Sequence, residues 1–174
     1  MNQVSRSGCA VVFETGDAMN KTESVAFSME KTGPKGYKQK RNLLTAALRA
    51  AIAALEFKLW ASEGWKQVTI ATDNQKLYNG ITREIVNWDA QIWLDEDTGA
   101  LKIPYGNLWC RLLNLINEQA FHGCEVSFWR ITAEQNQEAA TMAQAAASLT
   151  TVPGLYRPCG DVGYTFKAAL EAGE

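Results

Sequence analysis

Val68-Thr69-Ile70-Ala71-Thr72-Asp73-Asn74-Gln75-Lys76-Leu77-Tyr78-Asn79-Gly80 begins as a strand and ends as a helix. Val68 and Ile70 are β-branched, and the apolar run is too short for a helix, so residues 66–72 are expected to form a buried strand. Asn74, Gln75 and Lys76 then open a helical segment. Asp73 falls at the junction. In an α/β sheet the carboxyl end of a central strand is where ligands and metals are usually seated, which makes Asp73 the leading candidate for a catalytic group. The plainer alternative is that its carboxylate only caps the free amides of the following helix.

Upstream, Cys9 to Glu14 and Ser24 to Met29 are short apolar runs separated by Gly16, Asp17 and Asn20, the pattern of a hairpin. Leu44, Leu48, Ile52, Leu55 and Leu59 recur at helical spacing through an alanine-rich stretch, predicting one helix over residues 42–62 that stops at Gly64. Downstream, two short helical pieces are expected near 74–78 and 82–88, separated by Gly80, followed by a polar loop with Asp95, Glu96, Asp97 and Gly99. Leu108, Leu112, Leu115 and Ile116 mark an amphipathic helix ending at His122 and Gly123, and residues 125–131 alternate as a strand. The last helix, residues 137–148, is almost all alanine and so should pack closely against a neighbour. The fold class is α/β: a single mixed sheet flanked by helices over residues 1–148, with a tail, 149–174, that packs on the domain or on a partner.

A chain of 174 residues with 47% hydrophobic content supports one well-buried core. A formal charge of -2 and a pI near 5.5 give no general attraction to a polyanion, so nucleic-acid binding would need a local patch. Lys31, Lys35, Lys38, Lys40 and Arg41, broken by Gly33, Pro34 and Gly36, form such a patch, unless they are only a solvated loop. Cys9, Cys110, Cys124 and Cys159 are scattered without metal-ligand spacing, so neither a metal nor a disulfide framework is expected, and no cofactor is implied. His122 reads as a helix-terminus partner rather than a catalyst. Of six tryptophans most should be core, while Trp88 and Trp93 flank the polar loop and could line a small apolar pocket. Met1 to Ser7 is polar and no run approaches the roughly 18 apolar residues of a membrane span, so no membrane association is expected. A cytoplasmic or nuclear protein, not a secreted one, is the expectation.

Four segments, AALRAAIAALEF (46–57), VTIATDNQKLYNG (68–80), NLWCRLL (107–113) and VSFWRITAEQNQEAATMAQAAA (126–147), stand in an order that resembles type 1 ribonuclease H. The resemblance implies a ribonuclease H-like sheet. In that family two Mg²⁺ ions, held by carboxylates from the first strand, first helix, central strand and last helix, cut the RNA strand of an RNA·DNA hybrid. Paired divalent ions repel each other, and several carboxylates must neutralise them before one ion activates water and the other steadies the leaving oxygen. Carried over position by position, the central-strand acid is retained as Asp73, but Ala47 stands where the first helix should present Glu, and Ala140 where the last helix should present Asp. The first, central strand is missing by this reading, because residues 8–14 match the family's second strand. Glu138 does not compensate, since it points about 200° away from Ala140 around the helix.

The resemblance therefore implies a catalytically degenerate member, acting as a binding or oligomerising module as a homo-oligomer or with a protein partner. Two alternatives remain open: an enzyme acting on a small molecule by proton transfer or cyclisation, with Asp73 as base, and a weak RNA·DNA hybrid binder using the Lys31 to Arg41 loop. The absent strand also leaves a gap, because buried strand edges require partners. It is filled by direct pairing of the hairpin with residues 66–72, by the tail around 163–166, or by a second chain.

Overall fold

The computed structural model describes residues 6–14, 23–85, 102–149 and 151–161. Their elements run β1 (Gly8–Phe13), β2 (Glu23–Ser28), α1 (Leu43–Glu56), β3 (Gln67–Thr72), α2 (Gln75–Asn79), α3 (Gly106–Phe121), β4 (Glu125–Arg130) and α4 (Gln137–Ala147). The architecture is mixed α/β. No helix among the described residues is long and apolar enough to cross a membrane.

Strands β1 and β2 form the expected antiparallel hairpin, with Cys9 opposite Phe27 and Gly8 opposite Ser28. Alternation along β1 sorts its side chains between two helices. On one face Cys9 donates its thiol to the Ala46 carbonyl, and Phe13 stacks on Phe57 at 4.9 Å, so this face lies on α1. On the other face Gly8 meets α4 so closely that a β-carbon there would overlap the Ala143 carbonyl oxygen. The alanine-rich α4 thus packs backbone against backbone, as its composition predicts.

β3 pairs with β4 in parallel, Gln67 opposite Glu125 through Thr72 opposite Arg130. Instead of one continuous sheet, the described strands form two separate two-stranded sheets, and the hairpin does not pair with β3. The first way of closing the gap is thereby corrected; residues 163–166 lie outside the described residues. The reason is a helix acting as a spacer. Asn136, just before α4, donates its amide to Asp73 at the end of β3, while Ala143 and Ala147 sit on Gly8 of β1. At about 1.5 Å per residue the helix rises about 10 Å between Asn136 and Ala143, two intervals of a ladder spaced at about 4.8 Å. The strands also run in opposite senses. β1 follows α1 from Ala46 towards Phe57, whereas β3 ends where Asn74 Nδ2 donates to the Leu43 carbonyl at the start of α1.

Helix α1 opens on a capping box in which Asn42 Oδ1 accepts from Thr45 N–H and Thr45 Oγ1 accepts from Asn42 N–H. It ends at Glu56, six residues before the expected position, with a separate 3-10 turn at Trp60–Glu63. The cause lies on α3: buried Gln119 donates to the carbonyls of Leu55 and Lys58 and accepts from Trp60 N–H, so its amide replaces the next helical turn. Gly64, at φ 89°, terminates the 3-10 turn. The expected break at Gly80 is also corrected, because α2 runs directly into a π turn, Gly80–Glu84, and Gly80 is helical. This glycine serves close approach: a β-carbon on it would overlap the Trp109 indole. Leu48, Ile52, Leu55, Leu77, Leu108, Leu112 and Cys124 form the core between α1, α3 and the sheets.

Residues 151–161 cross the domain beside α1 over a buried charged cluster. Arg49 donates to Glu30 through Nε and Nη2, and both Arg49 Nη1 and Arg111 donate to Glu56. The Arg49 and Glu56 side chains are each 2% exposed.

Candidate functional site

The loop after β4 and the loop after β3 leave those parallel strands at the same end, and between them lies an open cleft lined by Asp73, Gln75, Arg130, Ile131, Thr132, Ala133 and Glu134. This is the position at which open α/β sheets bind ligands, beyond the carboxyl ends of the strands.

Asp73 is half-buried. Its carboxylate is not the cap of α2: Asn74 Oδ1 accepts from Leu77 N–H at 3.0 Å, and Thr72 Oγ1 accepts from Asn74 N–H at 3.1 Å. The capping alternative is therefore corrected by one residue, since an Asn immediately after Asp73 already satisfies those amides. Asp73 Oδ1 instead accepts from Asn136 Nδ2 at 2.9 Å, tying β3 to the entry of α4. Across the cleft Arg130 is oriented by two bonds, Nε to Gln75 Oε1 at 3.1 Å and Nη1 to the Ile131 carbonyl at 2.6 Å. The carboxyl group of Glu134 is held below its usual range by its own backbone N–H and by the Thr132 hydroxyl. Two carboxylates, Asp73 and Glu134, and the oriented Arg130 guanidinium line one open cleft, which suits a small polar molecule. It does not suit a pair of cations, and among the described residues no three His, Cys, Asp or Glu side chains are grouped to hold a metal ion.

Ala47 lies one helical turn after Leu43, whose carbonyl takes the Asn74 amide, and Ala140 lies one turn after Asn136, which holds Asp73. Both helices thus reach the corner formed by residues 73 and 74 within a turn of the positions where the resemblance asks for acids, with Ala140 exposed and Ala47 packed against the core.

The cationic loop is elsewhere. Lys31, Lys35, Lys38 and Lys40 are exposed and Arg41 is half-buried; none of them lines the cleft. The loop is folded rather than open-ended: Gly33 N–H donates to Tyr37 O, Thr32 bridges to Lys38, and Gly36 takes φ 81°. Trp88 and Trp93 lie outside the described residues. His122 caps the end of α3, donating its backbone N–H to Glu118 O.

Two groups of residues escaped the sequence. Arg130 and the Thr132–Glu134 loop belong to the cleft because the parallel register sets Arg130 opposite Thr72, which no local pattern reveals. The Arg49–Glu30–Glu56–Arg111 cluster had a visible trace, because Arg49 and Glu56 share one face of an otherwise apolar helix. No protein-family model and no curated protein matches the chain.

Proposed function

We propose that the chain is a ribonuclease H-like domain that has lost two-metal nuclease chemistry and acts as a binding or oligomerising module. The observation that carries this reading is the occupant of the Asp73 corner. Its single carboxylate is engaged by the neutral amide of Asn136, and the two helices that approach it bring Ala47 and Ala140. Even counting Glu134, the other carboxylate lining the cleft, two carboxylates offset half of the charge of two divalent ions, too little to hold them together in water. Further support comes from opposed strand directions and a spacing that would admit one further strand between β1 and β3, the arrangement the resemblance implies.

The test is hydrolysis of an RNA·DNA hybrid by the full chain in Mg²⁺ and in Mn²⁺, with Asp73→Ala alongside. No cleavage above background is expected from either protein. Metal-dependent cleavage that disappears in Asp73→Ala would overturn the reading.

A second reading, a site for a small polar molecule, is favoured by Asp73 and Arg130 lining the same cleft. Asp73 would take the cationic or hydroxyl end of such a ligand and Arg130 its anionic end. Chemical-shift changes confined to residues 73–75 and 130–134 on titrating a panel of amino acids and hydroxy acids are its expected signature.

A further inference from the structure

Residues 151–161 are held the way a bound peptide is held. Lys31 N–H donates to Pro153 O at 3.0 Å, and Thr32 Oγ1 donates to Gly154 O at 3.3 Å while accepting from Tyr156 N–H at 3.1 Å. Arg49 Nη2 donates to Arg157 O at 2.7 Å, and Cys159 N–H donates to Glu56 Oε2 at 3.1 Å. The Tyr156 hydroxyl donates to Glu56 Oε1, and the Tyr156 ring lies 4.5 Å from the Arg49 guanidinium carbon. Five of these holds use main-chain atoms of the segment, which bends at Gly154 and Leu155 and closes in a 3-10 turn at Cys159–Asp161, and one aromatic side chain supplies the anchor.

Two features separate this strap from an ordinary packed terminus. Its own apolar contribution is small: Tyr156 and Cys159 reach inward, while Leu155 is 69% exposed. Moreover, the surface beneath it is charge-balanced without it. Arg49 and Arg111 are matched by Glu30 and Glu56, all four on the domain, and the strap adds to this cluster only a hydroxyl, a carbonyl and an amide N–H. Its departure strands no net buried charge, because each guanidinium keeps a carboxylate partner on the domain. Arginine and tyrosine are also enriched among the side chains that dominate binding energy at protein interfaces, tyrosine because it buries much area for few lost rotamers.

We propose that the strip formed by Lys31, Thr32, Arg49, Glu56 and Arg111 is a docking groove for a tyrosine-bearing segment, filled in cis by residues 151–161 and in trans by the same segment of a second copy of this chain. The groove gives the module a self-recognising surface, and it stands independently of whether the Asp73 corner has lost nuclease chemistry. The tethered strap competes at an effective concentration on the order of millimolar, so trans docking dominates only when the cis anchor is weakened.

The probe is a fluorescein-labelled peptide spanning Thr151–Asp161, titrated by anisotropy into the full-length wild type and into full-length Tyr156→Ala, whose groove is intact but whose strap has lost its anchor. The peptide is expected to bind Tyr156→Ala at least tenfold more tightly than wild type, and a peptide carrying Tyr156→Phe is expected to lose most of that affinity. Absence of binding by a folded Tyr156→Ala chain, equal binding to both chains, or undiminished binding of the phenylalanine peptide overturns the proposal. If Tyr156→Ala does not fold, amide exchange in the wild type decides: the Tyr156 and Cys159 amides should exchange well before those of α1, and exchange only on global unfolding overturns it.

Discussion

Glu56→Gln removes one charge from the buried cluster while keeping the side chain's shape. The carboxylate accepts from Arg111 Nε at 2.9 Å and Nη2 at 2.8 Å, from Arg49 Nη1 at 3.4 Å, from Cys159 N–H at 3.1 Å and from the Tyr156 hydroxyl. Without its charge, two guanidiniums face one carboxylate. Breaking a buried pair by removing one partner costs about 3–5 kcal/mol. Two facts pull the figure to the low end: the Arg111 side chain is 33% exposed and can turn to water, and Arg49 keeps both bonds to Glu30. The expectation is therefore a loss of about 3 kcal/mol, which at a urea m-value near 2 kcal/mol/M lowers the midpoint by about 1.5 M. Urea unfolding followed by tryptophan fluorescence measures it. Glu63→Gln, on the exposed 3-10 turn, is the control and should stay within about 0.5 kcal/mol of wild type. A loss below about 1 kcal/mol for Glu56→Gln would refute the reasoning, because it would mean that the guanidiniums rehydrate freely and that the cluster organises nothing.

Burial pushes the Cys9 thiol up to about 12. The folded chain then keeps a proton that the unfolded chain releases near the ordinary thiol value, so stability is full below about pH 8.5 and falls by about 1.4 kcal/mol per pH unit above it. Burial also raises Cys159, to about 11, and Tyr156, so they add loss of the same sign; unfolding free energies that stay level from pH 8 to 10.5 would contradict this. Gly8→Val drives two methyl groups into the backbone of α4 and should cost about 1–3 kcal/mol, with new proteolytic cleavage in residues 137–147; an unchanged digestion pattern argues against the close helix–strand contact. Ala47→Glu combined with Ala140→Asp places three carboxylates about one corner, and calorimetric titration with Mn²⁺ should show a cation site of about millimolar affinity that wild type lacks. Equal binding by wild type would undo the charge argument made for Asp73.

The elements were legible wherever burial follows a short period. Both hairpin strands, β3, β4, α3 and α4 fall within a residue or two of where alternation or helical spacing puts them. What was hidden depends on groups far away in the chain. Leu59 continues the leucine spacing of α1, but it is 37% exposed, and the helix has already yielded to the Gln119 amide from α3. Gly80 looks like a helix breaker until Trp109 is seen lying against it. Asp73 was recognisable as the residue at the strand end, yet its partner Asn136 and Arg130 of the same cleft come from the other side of the parallel pair. In the same way, two opposite charges in AALRAAIAALEF announce a buried ion pair without saying that Glu30, Arg111 and Tyr156 complete it.

Packing and chemistry make different demands on α4, and the structure separates them. Ala143 and Ala147 must be small, because the backbone around them lies against Gly8. Ala140 is exposed, so nothing in the fold forbids an acid at that position. Asn136 donates its neutral amide to one oxygen of the Asp73 carboxylate and leaves the negative charge in place. Ala47 differs from Ala140 in packing against the core, where a glutamate would have to reach outwards to the corner. The alanine at position 140 is thus not a by-product of close packing. Position 140 is sterically able to carry an acid, so the charge at the Asp73 corner is open to direct test by substitution there.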